Sequence, residues 1–418
     1  MAPTQYPSPT YLIIGAGCFG ASTALHLQRA YPDAHITLVD RTPFPCPAAA
    51  AHDLNKIIRA EYDDIFYMKL ALEAMDVWKS DPIFQPYFHQ TGVLYTSTFK
   101  KARLVTSNYH KLSEASPIEL IDPATAIAKF DILKGFDPSP AEVFMWSPQA
   151  GWGDAENALR SVINASIQLG VRYISQAVAR VLFDPMGNCI GAQTGDGTNL
   201  LADRVILCTG AGTARLLADS APNRPNLQVN GRMAAAAAIM CAFRVPQDEL
   251  CKFKNAPILV NSLGSTPGES IPPGQSGLVK CTYELSFTNK GLYKLLDEEI
   301  SCPPEDPILS TWNHEVSQRL KDEVHLVKEM FYGNHVTGLR PERYRMCWDS
   351  ITPNQDFIIS AHPDSKNLYI AGGGSFHGWK FMANIGRYVV QMMKGDLDEQ
   401  AAKRWAWDRK NEGYMAMS

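Results

Sequence analysis

The sequence has no surplus of charge of either sign: 39 Lys and Arg stand against 43 Asp and Glu in 418 residues, a formal net charge of −4. No broad basic surface for nucleic acid or an anionic membrane is expected from that balance. Long apolar runs are missing too. The longest, Met233 to Phe243, is mostly Ala and falls short of the ~20 residues of a spanning helix, so no membrane span is expected. Cysteine pairing is absent as a pattern: nine cysteines, an odd number, form neither a CxxC pair nor a secreted framework, and no metal-ligand spacing stands out. Most should be reduced, and cysteine chemistry must fall on single residues. Met1 to Thr10 has no basic and apolar leader, and the C-terminal Met415-Ala416-Met417-Ser418 is no Ser-Lys-Leu type of peroxisomal address, so a cytoplasmic protein is expected.

What is present is enough for a large core and, at about 150 residues per domain, two to three domains. Apolar Tyr11 to Ile14 runs into Gly15-Ala16-Gly17-Cys18-Phe19-Gly20, then a helical pattern from Ala21 to Arg29. A second apolar strand, Ile36 to Val39, ends in Asp40. The unit is βαβ with a dinucleotide-binding turn: Gly15 permits the bend, Gly17 lets backbone approach a pyrophosphate, Gly20 lets helix pack on strand. Asp40 would accept hydrogen bonds from ribose hydroxyls. A helix over Ala155 to Gly170, strands at Val171 to Ile174, Ala179 to Phe183 and Arg204 to Cys208, and Thr209-Gly210-Ala211-Gly212 form a second nucleotide-domain block. Strand-like Leu368 to Ala371, Gly372-Gly373-Gly374 and a helix from Asn384 to Met393 form a third. The reading is an α/β chain whose nucleotide domain takes 1–80, 150–221 and 344–418. A second, substrate domain takes 81–149 and 222–343, and Ser262 to Gly277 reads as a surface loop inside it.

Ser375-Phe376-His377-Gly378-Trp379-Lys380 follows a strand and a triple glycine, where an open α/β sheet keeps its ligand crevice. Taken alone, Lys380 reads equally as a solvated helix-start lysine, His377 as a structural hydrogen bonder and Cys347 as a small buried hydrophobe. The order of motifs weighs against those readings. Gly15 to Gly20 with Asp40, His52-Asp53-Leu54-Asn55-Lys56-Ile57-Ile58-Arg59, Gln90-Thr91-Gly92, Gly151-Trp152-Gly153, Thr209 to Gly212, Cys347-Trp348-Asp349 leading into Thr352-Pro353, and His377-Gly378-Trp379-Lys380 follow one another along nearly the whole chain. In that order the chain resembles the sarcosine oxidase and fungal amadoriase (fructosyl amino acid oxidase) group of FAD amine oxidases.

The resemblance implies a Rossmann-like FAD domain with an inserted mixed-sheet substrate domain, as in glucose oxidase and D-amino-acid oxidase. It also implies FAD joined through the Cys347 sulfur, oxidation of a secondary amine with release of hydrogen peroxide, and a monomer. By the same resemblance the cofactor would meet Gly15, Gly17, Cys18, Phe19, Gly20, Asp40, Arg41, His52, Asn55, Lys56, Val178, Gly210, Cys347, Gly374, Phe376, Gly378 and Lys380. Arg59 and Lys380 would hold a substrate carboxylate, His377 would be the active-site histidine, and Lys280 would stand beside the flavin where O2 reacts. The chain departs from the pattern at Asn354, usually Asp, and at Phe376, usually Gly; a ring at that place argues against a substrate as small as sarcosine. The candidates left open are N-alkyl amino acids, a biosynthetic amine whose product closes a ring, and a flavin dehydrogenase with another electron acceptor.

Overall fold

The computed structural model describes residues 8–112, 115–304 and 316–410. The two ends read above for targeting lie, save for residues 8–10, outside the described residues. A six-stranded sheet runs in the order Ile358–Ala361, Leu368–Gly372, Arg204–Leu207, Thr10–Ile14, His35–Asp40, Arg172–Ser175, parallel except at its first strand. Thr10–Ile14 is apolar throughout because both faces are covered. Tyr11 and Ile13 pack with the helices Cys18–Ala30, Ala155–Gln168 and Ile385–Lys394, while Leu12 and Ile14 pack with Val181, Cys189 and Leu217 on the other side. Asp40 closes its strand and accepts hydrogen bonds from the Ala16 and Arg41 N–H groups at 2.8 and 2.7 Å, tying the glycine turn to the neighbouring strand.

The largest sheet among the described residues is nine-stranded and mixed. Its long central strand, Ala234–Arg244, is the Ala-rich apolar run, pairing antiparallel with Pro341–Ile351 and Leu278–Tyr283. Alanine is a weak strand former, but strand preference yields to what the two faces must pack against. Ile239, Cys241 and Phe243 face the helix Gln318–Tyr332, whereas Ala238, Met240 and Ala242 alternate onto the opposite face of the strand. Directly paired residues share a face, so Lys280, Arg345 and Cys347 point the same way, and the residue paired with Cys347 is the small Ala238.

Two expectations change. The stretch 262–277 is not all surface loop: Gly268–Ile271 is a mostly buried inner strand between Ile258–Asn261 and Leu278–Tyr283. Its short length and flanking Pro and Gly hide the alternation from sequence. The strand Pro341–Ile351 runs unbroken through residue 344, where composition suggests a boundary. Asn55–Ile58, Gly151–Asp154 and Phe88–His89 form a small three-stranded sheet.

Candidate active site

A crevice of about 410 Å³ runs from Asp40 and Arg41, across the glycine turn, to Lys56, Cys347 and Phe376. Gly15 has φ +99°, and a Cβ there would stand 2.4 Å from the Cys208 carbonyl oxygen; a Cβ on Gly20 would overlap the Gly15 carbonyl oxygen. Glycine is therefore required at both. Gly17 differs, for a Cβ there would meet only Ala51, at 3.9 Å, so the space above the first turn of Cys18–Ala30 is left by the fold for something else. That turn directs N–H groups and the positive helix end at the crevice. Cys18, Phe19, Val178 and Gly210 also line it. Gly20 packs the helix instead, and Gly374 and Gly378 form the tight turn after Leu368–Gly372, where a Cβ on Gly378 would meet Gly374 Cα at 2.8 Å. His52 is set apart in a shallow pocket, 3.5 Å from Glu156.

At the Cys347 end the side chains form a charged cluster. Lys56 Nζ lies 3.9 Å from Cys347 Sγ and donates to Asp53 Oδ2 at 3.0 Å. Lys280, 3% exposed and so no solvated strand lysine, donates to the same oxygen at 3.1 Å and to the Asn55 carbonyl at 2.7 Å. Asn55 thus serves through its backbone. Arg345 Nη1 is 3.6 Å from Asp53 Oδ2. Burial alone would raise the Asp53 carboxyl; Lys280, then Lys56 and Arg345, outweigh it and hold the group well below the usual carboxylate range. Burial opposes the Lys56 charge, yet the Cys347 sulfur and Asp53 hold its ammonium above the ordinary value.

Beside this lies a second pair of cations. Lys380, buried on the one-turn helix Trp379–Ala383, donates to Tyr62 Oη at 2.8 Å and to the His377 carbonyl at 2.7 Å. Arg59, just past Asn55–Ile58, lies over the Tyr62 ring at 4.7 Å and donates to the Glu61 carbonyl at 2.5 Å. Neither cation has a carboxylate within 4 Å among the described residues. Burial, and then Arg59, push the Lys380 ammonium well below its ordinary value. His377 is lowered to about 3, by burial first and Lys380 second, and is neutral at physiological pH. Its Nε2 faces the Gln355 carbonyl at 2.9 Å and its Nδ1 the Tyr62 hydroxyl at 3.2 Å. A carbonyl can only accept, so Nε2 carries the proton, Nδ1 accepts from Tyr62, and Tyr62 accepts from Lys380. Tyr62, Asp53 and Arg345 are the site residues that sequence reasoning does not assign, although Asp53 lies inside a quoted motif and Tyr62 stands three residues past Arg59. Asp349, which lines the crevice and accepts from the Phe376 N–H at 2.8 Å, is another.

The family profile described as FAD dependent oxidoreductase matches residues 10–392. The chain belongs to that family. It is 28% identical to the L-saccharopine oxidase of Schizosaccharomyces pombe, over 96% of this chain and 93% of that one. It is 23% identical to a monomeric sarcosine oxidase of Bacillus sp. (strain B-0618), over 91% of each. A crystal structure of fructosamine oxidase from Aspergillus fumigatus (Amadoriase II) superposes with a TM-score of 0.82 at 25% identity, covering 97% of this chain and 91% of that one. The chain is thus an FAD-dependent oxidoreductase whose relatives include amino acid and amine oxidases. The crevice fits FAD: a glycine turn with space left over it, a helix N-terminus for the diphosphate, Asp40 at the far end and a cysteine at the near one. Among the described residues no helix is long and apolar enough to cross a membrane.

Proposed function

We propose that the protein oxidises the C–N bond of a secondary amine amino acid to an imine, with O2 reduced to hydrogen peroxide. The observation that carries this reading is the convergence of Arg59 and Lys380 on Tyr62 with, among the described residues, no carboxylate within 4 Å of either. Lys380, depressed by burial and by Arg59, calls for an anion beside it, and a guanidinium with an ammonium can clamp a substrate carboxylate. Fixing that end aligns the carbon that gives up hydride. FAD supplies the hydride acceptor and the route of electrons to O2. Neutral His377 accepts the hydrogen bond of the Tyr62 O–H at Nδ1 and keeps the hydroxyl's lone pairs turned to Lys380, so the lysine stays aimed at the incoming carboxylate. Lys280 contributes positive charge where negative charge develops on oxygen, and its presence favours an oxidase over a dehydrogenase. Cys347, in the crevice beside Lys56, is the residue for a covalent link to the cofactor.

The S. pombe and Bacillus relatives carry the names of oxidases of two secondary amine amino acids, saccharopine and sarcosine, and this supports the substrate class. Phe376, 42% exposed and lining the crevice where the related pattern has Gly, favours the larger members. The test is a panel of N-methyl amino acids, fructosyl amino acids, pipecolate and saccharopine, read by peroxide release. Turnover confined to amines without a carboxylate would refute the clamp.

A further inference from the structure

We propose that Asp53 is a positioning residue: its Oδ2 atom is the shared anchor that holds the Lys56 and Lys280 ammonium groups as one unit at the Cys347 end of the crevice. The inference rests on the reading of that crevice as the FAD site. Three cations address a single carboxylate oxygen, Lys56 at 3.0 Å, Lys280 at 3.1 Å and Arg345 at 3.6 Å, while Oδ1 is taken by the Leu54 N–H at 2.8 Å. The two lysines come from different sheets, Lys56 from Asn55–Ile58 and Lys280 from Leu278–Tyr283; the Asn55 carbonyl holds Lys280 near that strand but does not touch the Lys56 nitrogen, so the backbone alone does not fix the distance between the two ammonium groups. Asp53 does, because both nitrogens must lie within hydrogen-bond distance of one atom. Buried ammonium groups this close repel each other; a shared carboxylate offsets the repulsion and helps to keep Lys56 protonated. The other titratable groups here are Cys347, which faces Lys56, Asp349, whose buried carboxyl lies within electrostatic reach of Lys56 but not within hydrogen-bond distance of either lysine, and His52 next to Asp53 on the chain. One carboxylate against three cations leaves the cluster positive toward the crevice, which a carboxylate present only for neutralisation would not do.

The two lysines should therefore act as a coupled pair that fails when Asp53 is lost, although its loss makes the region formally more positive. Asp53→Asn keeps shape and removes the charge. The oxidised holoprotein is titrated with sulfite and followed in the flavin absorption band, a readout that needs neither substrate nor oxygen. A carboxylate that merely subtracts positive charge predicts tighter sulfite binding in Asp53→Asn; an anchor predicts weaker binding, by on the order of tenfold, because the two cations disperse and Lys56 loses its proton more readily. Tighter or unchanged binding overturns the proposal.

The dithionite-reduced protein is then mixed with O2 from about pH 6 to pH 10, a range that ends near the ordinary lysine pKa. Wild type should hold its rate across most of the range. Asp53→Asn should lose it from lower pH, since the Lys56 ammonium, which Asp53 helps to hold above its ordinary value, then deprotonates earlier; coincident profiles overturn the proposal. Should Asp53→Asn not fold, Lys56→Met, Lys280→Met and the double variant decide by the same sulfite titration. Coupled cations give a double variant that departs from the product of the single effects, and independent ones give that product, which overturns the proposal. Normal reoxidation in Lys280→Met would remove the oxygen role from the proposed function, and the sulfite result would still decide on Asp53.

Discussion

At the scale of the residue, the Lys380–Tyr62–His377 chain sets the direction of two measurements. Arg59→Ala should raise KM for the carboxylate substrate by the equivalent of roughly 1.5–3 kcal/mol, the range for a hydrogen bond to a charged group, with a smaller effect on the decarboxylated analogue. Equal losses on both would place Arg59 outside the clamp. Lys380 adds a pH dependence. Its ammonium is depressed by burial and by Arg59, so in the free protein it loses its proton below the ordinary lysine range. A carboxylate binds the protonated form, hence KM should rise as pH climbs through that lowered value, while kcat changes less because the bound anion restores the proton. In Lys380→Met the rise should vanish; a profile like wild type's would exclude Lys380 as its source. Arg59, Lys380, Lys56 and Cys347 were legible in sequence because each sits in a short ordered motif. Tyr62 and Asp53 were not, because their meaning lies in partners 318 and 227 residues away, which only the packing of one sheet on the other supplies.

At the scale of the element, the βαβ unit was legible because its cues are local: an apolar run, a glycine turn and a terminal acid. The nine-stranded sheet was less so. Ala234–Arg244 reads as a weak strand former, and Gly268–Ile271 is masked by Pro and Gly on both sides; each is a strand because neighbours complete its ladder. The turn after Leu368–Gly372 carries a testable strain. Ser375 and Phe376 adopt φ +48° and +60°, held by the Ser350 carbonyl and the Asp349 carboxylate. A side chain in the left-handed region costs about 1–2 kcal/mol, and glycine's extra freedom in the unfolded chain returns part of any gain. Phe376→Gly should therefore leave the fold unchanged or stabilise it by up to about 1 kcal/mol in urea denaturation, while small N-methyl amino acids gain turnover relative to large ones. Destabilisation well beyond that size would mean that the ring packs for the fold and not for the ligand.

At the scale of the whole molecule, the crevice gathers separated stretches of chain: the glycine turn with Asp40, the loop reaching Lys56, Val178 with Gly210, and Cys347 with Phe376. A cofactor lying along it would touch all of them, so FAD binding and the stability of the two-sheet assembly should be linked. A ligand that binds only the folded state stabilises it by about 2.7 kcal/mol at a free concentration 100 times its Kd. The linkage should be visible only when the cofactor is free to leave. With FAD joined through Cys347, wild-type protein should melt at one temperature whatever FAD is added, and acid precipitation should leave the yellow colour in the pellet. In Cys347→Ala the colour should pass to the supernatant, and the melting temperature should climb with added FAD and fall on dilution. The position of Cys347, half-buried beside small Ala238 and 3.9 Å from Lys56, makes the substitution mild for the sheet itself, so a low melting point restored by excess FAD reports the lost link. A Cys347→Ala protein whose melting temperature ignores added FAD, or a wild type that releases its flavin into acid, would show that the cofactor is held without that sulfur.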